Sequence, residues 1–249
     1  MPNVEWNKNY WSDLKSWPAQ GEEWSQHWGS SFIQWHYTIL PRIAACVPTG
    51  RVIEIAPGFG RWTRFLLPLC QTYRGYDLSA ACIASCKQRF AADKPRDKVD
   101  FVNNDGQTLA LDAPTSADFV FSFDSLVHVE QAVIGNYLGE IARVLKPGGR
   151  AFIHHSNLAG LPPNLPYYTH ERGANVSAAS VVSAAGAAGL LVLVQETVTW
   201  NIPVCLDCFT LLAKPPVTGY EAPQLIENAD FWDDVARHRD TLLSYSKFA

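Results

Sequence analysis

Along the middle of the chain, short apolar runs alternate with longer segments whose apolar positions recur at helical spacing. The runs at 51–55, 72–76, 99–102, 117–121 and 149–154 are rich in β-branched and aromatic residues, and they predict strands. The segments at 62–70, 80–90 and 131–145 predict the helices between them. Strands that alternate with helices in this way imply a parallel, doubly wound sheet with helices on both faces. Lys146-Pro-Gly-Gly149 reads as a helix stop and a turn into the fifth strand. The stretch 157–175, rich in Pro, Tyr and Gly, is too long for a routine connection and predicts a functional loop. An Ala-rich helix is expected at 177–188. Two strands at 190–199 and 205–213 follow, close enough to form an antiparallel hairpin.

The ends of the chain differ from this middle. Residues 1–46 predict a helical extension or lid, and six of the nine tryptophans fall there: Trp6, Trp11, Trp17, Trp24, Trp28 and Trp35. They serve either to staple the extension onto the main unit or to line an acceptor pocket with flat apolar faces. The main unit is expected at 47–215, and a tail at 216–249 carries a polar helix near 231–243.

Composition narrows the classes. Hydrophobic residues make up 47% of the 249, enough to bury a sizeable core. A net charge of −4 argues against a nucleic-acid or anionic-membrane surface as partner. No apolar run reaches the length of a membrane span, and the first residues lack the pattern of a signal peptide, so a cytoplasmic protein is expected. Cys205 and Cys208 have CxxC spacing but no second pair, and a structural reading is preferred to zinc or redox chemistry.

The candidate chemistry begins at Glu54-x-Ala56-x-Gly58-x-Gly60, where the first strand runs into a glycine turn. Backbone amides at such a turn approach a ligand closely. Asp77, in Gly75-Tyr-Asp-Leu-Ser79, ends the next strand and is suited to hold two ribose hydroxyls. Together they indicate a cofactor containing a nucleoside. A nicotinamide cofactor fits poorly, because Thr63 stands where a third small residue is wanted.

With Asn104-Asp105-Gly106, Phe121-Ser-Phe-Asp124 and Leu145-Lys-Pro-Gly-Gly149, these residues resemble the ordered motifs of class I S-adenosylmethionine (SAM) methyltransferases over about residues 50–213. The resemblance implies a Rossmann-like α/β fold, a seven-stranded mostly parallel sheet in the order 3-2-1-4-5-7-6. It implies SAM as cofactor, with the cofactor set Glu54, Ala56, Gly58, Gly60, Asp77, Leu78, Ser79, Asp105, Gly106 and Phe123. Of these Gly58, Gly60 and Phe123 would lie beside the methionine part, with Asp124 next to them, Asp77 on the ribose, and Leu78, Asp105 and Gly106 at the adenine.

A hydroxyl acceptor benefits from a positioned base, and open sheets bind ligands at the carboxyl ends of their strands. Asp124, His128 and Glu130 follow the fourth strand there, and His154 and His155 end the fifth. The candidate catalytic residues are His155, His154, Asp124 and His128. Asp124, Glu130 and His155 also suit a divalent ion such as Mg2+. Pro41-Arg42, residues 56–62, 122–130 and 152–157 look like bacterial methyltransferases of sugars and surface polysaccharides, which implies O-methylation of a carbohydrate, a mannoside being one candidate. Tyr167 to Arg172 in the long loop would help to hold it. A phenolic or polyketide acceptor, and an interaction protein with a silent SAM fold, are the rival readings. The oligomeric state is left open.

Overall fold

The computed structural model describes residues 2–13, 17–91 and 98–246. Its centre is one sheet of eight strands: β1 (Thr49–Ile55), β2 (Cys70–Asp77), β3 (Val99–Asn103), β4 (Ala117–Ser122), β5 (Leu145–Ser156), β6 (Leu191–Val198), β7 (Asp207–Ala213) and β8 (Gln224–Asn228). They lie in the order β3-β2-β1-β4-β5-β7-β6-β8. The first five pair in parallel, and β7 runs antiparallel between β5 and β6. The expected order is thus present, with one strand more. β8 comes from the tail and pairs in parallel with β6. Its five residues are mostly exposed, so no alternation of apolar and polar positions marked it as a strand.

Alternation along the strands sends successive side chains to opposite faces, and both faces are buried. Val52, Phe119, Phe121, Phe152 and Phe209 point to one face, and Ile53, Val120, Ile153 and Leu212 to the other. The second face is aliphatic. It packs α6 (Gln131–Val144) through Val133, Ile134, Leu138 and Ile141, and α7 (Ala178–Ala187) through Val181 and Ala185. Ser177 opens α7 with a capping box that it shares with Ser180.

The first face is aromatic. The N-terminal segment packs here through a 3₁₀ turn at Glu22–Trp28, α2 (Ser31–Gln34) and α3 (Leu40–Ile43), while α1 (Val4–Ser12) sends Val4 to the aliphatic cluster. A π-helical stretch, Trp35–Ile39, joins α2 to α3. Pro41 cannot donate a helical hydrogen bond, and the wider turn before it accommodates that loss. Trp28, Trp35, Ile39 and Ile43 share one core cluster with β1, with α5 (Ala80–Arg89) and with Phe231 and Val235 of α8 (Phe231–Ser246).

Two expectations shift in detail. The helix foreseen at 62–70 is a single turn, α4 (Thr63–Leu66), followed by a 3₁₀ turn at Leu67–Leu69 that contains Pro68, and β2 begins at Cys70. Lys146-Pro-Gly-Gly149 is a bulge inside β5: Ala117 pairs with Leu145 but Phe119 with Arg150. None of the six cysteines is joined in a disulfide. Among the described residues no helix is long and apolar enough to cross a membrane.

Candidate functional site

Strand order reverses between β1 and β4, and a cavity of about 380 Å³ opens at the carboxyl ends of these strands. This is the crevice where open α/β sheets hold ligands. Its floor is the turn after β1, with Ala56 at φ +56° and Gly58 at φ +57°. Asp77 ends β2 beside it. One carboxylate oxygen accepts the Gly58 N–H at 3.0 Å, and the other accepts the Ser79 N–H at 2.8 Å. Burial nevertheless raises the Asp77 carboxyl to about 6, against the opposing pull of those two bonds. Leu78, Gly106 (φ +76°) and Phe123 complete this side.

The donor set is only partly gathered here. Ala56, Gly58, Asp77, Leu78, Gly106 and Phe123 line the cavity, whereas Glu54, Gly60, Ser79 and Asp105 do not. Glu54 lies under the turn, 1% exposed, where it accepts hydrogen bonds from Thr63 Oγ1 (2.6 Å) and the Tyr73 hydroxyl (2.5 Å). Burial raises its carboxyl to about 7, against the opposing pull of those two bonds. Gly60 faces the core. A Cβ on it would meet Phe90 at 2.4 Å, so close packing demands that glycine. Ser79 caps α5 through the Cys82 N–H. Asp105 Oδ1 accepts from Gln107 N, Thr108 N and Thr108 Oγ1, and so closes its own turn.

The opposite walls come from segments far apart in the chain. Trp6, Tyr10, Trp11, Trp17 and Trp24 descend from the N-terminal segment, and Trp200 and Trp232 come from the other end. Trp17 stacks on Phe59 at 4.8 Å with the planes 7° apart, directly over the glycine turn. A Cβ on Gly58 would lie 2.5 Å from the Trp17 ring. Trp28, Trp200 and Trp232 form a corner with centroids 5.0–5.7 Å apart. The long loop adds Tyr168, His170, Glu171 and Arg172.

The histidines sort sharply. His155, the expected base, is 0% exposed and outside the cavity lining. It sits against β7, with Nδ1–H donating to the Ser156 carbonyl (2.8 Å) and Nε2 paired with Thr210 Oγ1 (2.8 Å). Burial pushes its imidazole down to about 4. The base assignment to His155 is therefore corrected: strand alternation points it into the core, and both ring nitrogens are taken. His154 is also 0% exposed and outside the lining. Its Nδ1 accepts the Asp124 backbone N–H (3.2 Å), so Nε2 carries the proton and donates it to Asp207 (3.1 Å). His154 orients its neighbours and does not touch the cavity.

His128 and Asp124 do line the cavity. His128 Nδ1 lies 3.0 Å from the Glu171 carbonyl, which can only accept, so Nδ1 holds the proton. Nε2 has no hydrogen-bond partner among the described residues. Burial first, and then the charge of Arg172, lower this imidazole to about 4, leaving it neutral at neutral pH. Asp124, at φ +61°, pairs through Oδ2 with Arg61 Nη2 at 2.6 Å. The trio of Asp124, Glu130 and His155 does not converge as metal ligands. Glu130 lies at the N-terminus of α6 outside the cavity lining, and among the described residues no group of three or more His, Cys, Asp or Glu is placed to hold an ion.

Sequence reasoning missed Asp207, Arg61, His27, Asn201 and the tryptophans of the C-terminal third. Arg61 was the most legible of these, since it directly follows the glycine turn.

Residues 52–149 match the sequence profile of a family described as a methyltransferase domain. The biotin biosynthesis bifunctional protein BioHC of Cellvibrio japonicus (strain Ueda107) is 36% identical over 115 residues, 46% of this chain. The match spans about a fifth (21%) of that relative's length. Solved structures share the fold at low identity. Phosphoethanolamine N-methyltransferase 2 of Haemonchus contortus, in complex with SAM, superposes with a TM-score of 0.64 at 18% identity, covering 84% of this chain and 60% of that one. The N-methyltransferase NodS of Bradyrhizobium japonicum WM9, in complex with S-adenosylhomocysteine (SAH), gives 0.61 at 14%, covering 86% and 98%. A SAM-dependent methyltransferase of Clostridium acetobutylicum ATCC 824 gives 0.58 at 15%, covering 74% and 92%. Residues 52–149 thus match a methyltransferase domain in sequence, and the sheet that holds them has the fold of these solved SAM-dependent methyltransferases.

Proposed function

We propose that the protein transfers a methyl group from SAM to a hydroxyl of a carbohydrate. The observation that carries this reading is the composition of the cavity. Opposite the donor turn, tryptophan faces alternate with His27, Asn201, His170 and Glu171. Flat apolar faces suit the CH faces of a sugar ring, and interspersed polar side chains suit its hydroxyls.

The lining of the cavity supports a donor site beside the acceptor site. Asp77 would take the ribose hydroxyls, because each of its oxygens is already oriented by a backbone N–H and keeps lone pairs to spare. Leu78 and Gly106 would flank the adenine, and Phe123, Asp124 and Arg61 the methionine end. Bound SAM supplies a methyl carbon already activated by the sulfonium. The protein then aligns the acceptor oxygen in line with that carbon. His128 Nε2 would take the hydroxyl proton as the methyl carbon is exchanged from sulfur to the acceptor oxygen. His128 is the one of the three rim histidines whose ring faces the cavity with a free nitrogen among the described residues.

Calorimetry with SAH tests the donor site. Labelled SAM offered with methyl α-D-mannoside, a manno-oligosaccharide and a catechol tests the acceptor. Transfer to a saccharide is expected. Transfer to the catechol alone would move the assignment to the phenolic reading, which the Trp28–Trp200–Trp232 corner also suits. Donor binding without transfer to any acceptor would favour a silent SAM-fold interaction protein.

A further inference from the structure

The long loop meets the site at one short turn. Arg172 N–H donates to the Thr169 carbonyl at 3.1 Å, closing a turn whose central residues, His170 (φ +50°) and Glu171 (φ +54°), are both left-handed. Two consecutive non-glycine residues in that region are strained, and such a turn persists only where its surroundings hold it. The Arg172 side chain does so. Nε and Nη2 fork onto Asp207 at 2.8 and 2.7 Å, and Nη1 donates to the His170 carbonyl at 3.3 Å. Both partners are buried, and Asp207 Oδ2 also accepts from His154. The next residue, Gly173, donates to the Val127 carbonyl at 2.9 Å, which fixes the exit of the turn beside His128.

The turn in turn places the Glu171 carbonyl on His128 Nδ1. We propose that Arg172 is a positioning residue for His128: clamped on Asp207, it holds the left-handed turn whose Glu171 carbonyl locks the imidazole as the Nδ1–H tautomer, leaving Nε2 as the acceptor on the cavity side. Only the final use of Nε2 rests on the methyl-transfer reading; the tautomer lock does not.

Arg172 also acts through its charge. The groups around His128 are Arg172 and the Glu171 carbonyl from the loop, Asp124 beyond β4 and Asp207 at the start of β7. From α1, the Trp11 ring lies at 5.5 Å and Asn7 Nδ2 donates to the His128 carbonyl. Arg172 opposes protonation of the ring, and Asp124 and Asp207 favour it. Replacing Arg172 thus alters two separate properties of one imidazole, its tautomer and its titration.

Long-range proton–nitrogen NMR on the full chain labelled with ¹⁵N-histidine reads both, with SAH absent and present, and His128→Gln assigns the signal. The wild type is expected to show His128 as a single Nδ1–H tautomer, neutral at pH 6 and above. In Arg172→Gln the tautomers should mix, and the titration midpoint should rise by about half a unit or more. Arg172→Lys keeps the charge but not the fork. It should mix the tautomers with a smaller rise, and it serves if the glutamine variant does not fold. An Nε2–H tautomer in the wild type, or an unchanged tautomer in a folded Arg172 variant, overturns the proposal. SAH calorimetry and transfer to methyl α-D-mannoside, run on the same samples, report on the methyl-transfer reading. A tautomer lock with no transfer would therefore sink only that reading.

Discussion

The two halves of the cavity are built by different means. The half proposed for the donor is built largely of local backbone, the strand-to-helix turn with Gly58, beside one carboxylate, Asp77, which the Gly58 and Ser79 N–H groups hold. The half proposed for the acceptor is made of side chains from segments far apart in the chain, such as Trp11 against His128 and Trp28 against Trp200. Backbone sites have a fixed spacing in sequence and can be read there. Side-chain sites depend on which elements the fold brings together, and they carry no such spacing.

Substitutions in the two halves should therefore separate donor binding from turnover. The largest effect is expected at His128. His128→Gln should lower kcat by about 10²–10⁴-fold, the usual worth of a positioned base, with SAH affinity unchanged by calorimetry. The paired control is His155→Gln, which should cost about 1–3 kcal/mol in thermal unfolding by disturbing buried hydrogen bonds, while activity per folded molecule stays near wild type. Equal losses of turnover in both would erase the distinction drawn between the two rings.

Next in size, Asp77→Asn should weaken SAH binding by about 1.5–3 kcal/mol, the worth of a hydrogen bond to a charged group, while leaving the titration of His128 unmoved. Gly173→Ala should follow at about 1–3 kcal/mol of stability, because the new Cβ would lie 2.0 Å from the Val129 carbonyl oxygen. A melting temperature equal to wild type would show that the loop exit is not pinned as described.

The pH dependence tests the donor half alone. The folded carboxyl of Asp77 is raised from 3.8 to about 6, so protonated Asp77 stabilises the free protein below pH 4, and that contribution is lost as pH rises through 6. In the proposed donor site, ribose hydroxyls would bind the ionised form. SAH affinity should consequently fall about tenfold per pH unit below pH 6 and level off above it. A flat profile between pH 5 and 7 would mean that Asp77 is not the ribose ligand. The smallest effect is expected at the rim, where Trp24→Ala should raise the acceptor KM by about 0.5–1.5 kcal/mol equivalent without touching SAH binding.

Much of this was legible in the chain. The five parallel strands and the antiparallel hairpin showed in the apolar runs, because both sheet faces are buried and the runs are continuous. β8 was hidden because Leu225 and Ile226 lie exposed at a sheet edge. In the site, Asp77 and Gly58 were found by spacing. His154 and His155 were misread because the end of a strand shows that a side chain is near the rim but not which way it points. β7, packed against them through Asp207 and Thr210, decides that direction. Asp207 had no sequence signal, since its partners Arg172 and His154 lie 35 and 53 residues away.

Eight of the nine tryptophans line the one cavity described at the switch point, and only Trp35 stands outside it. Their rings lie within 5–6 Å of one another in two groups, Trp11 with Trp17 and Trp24, and Trp28 with Trp200 and Trp232. Nearly all the intrinsic tryptophan fluorescence of the molecule therefore originates in the walls of this cavity. Occupancy by any ligand, coloured or not, becomes an optical signal in the unlabelled protein, so a library of acceptors can be ranked by titration before any product has been identified.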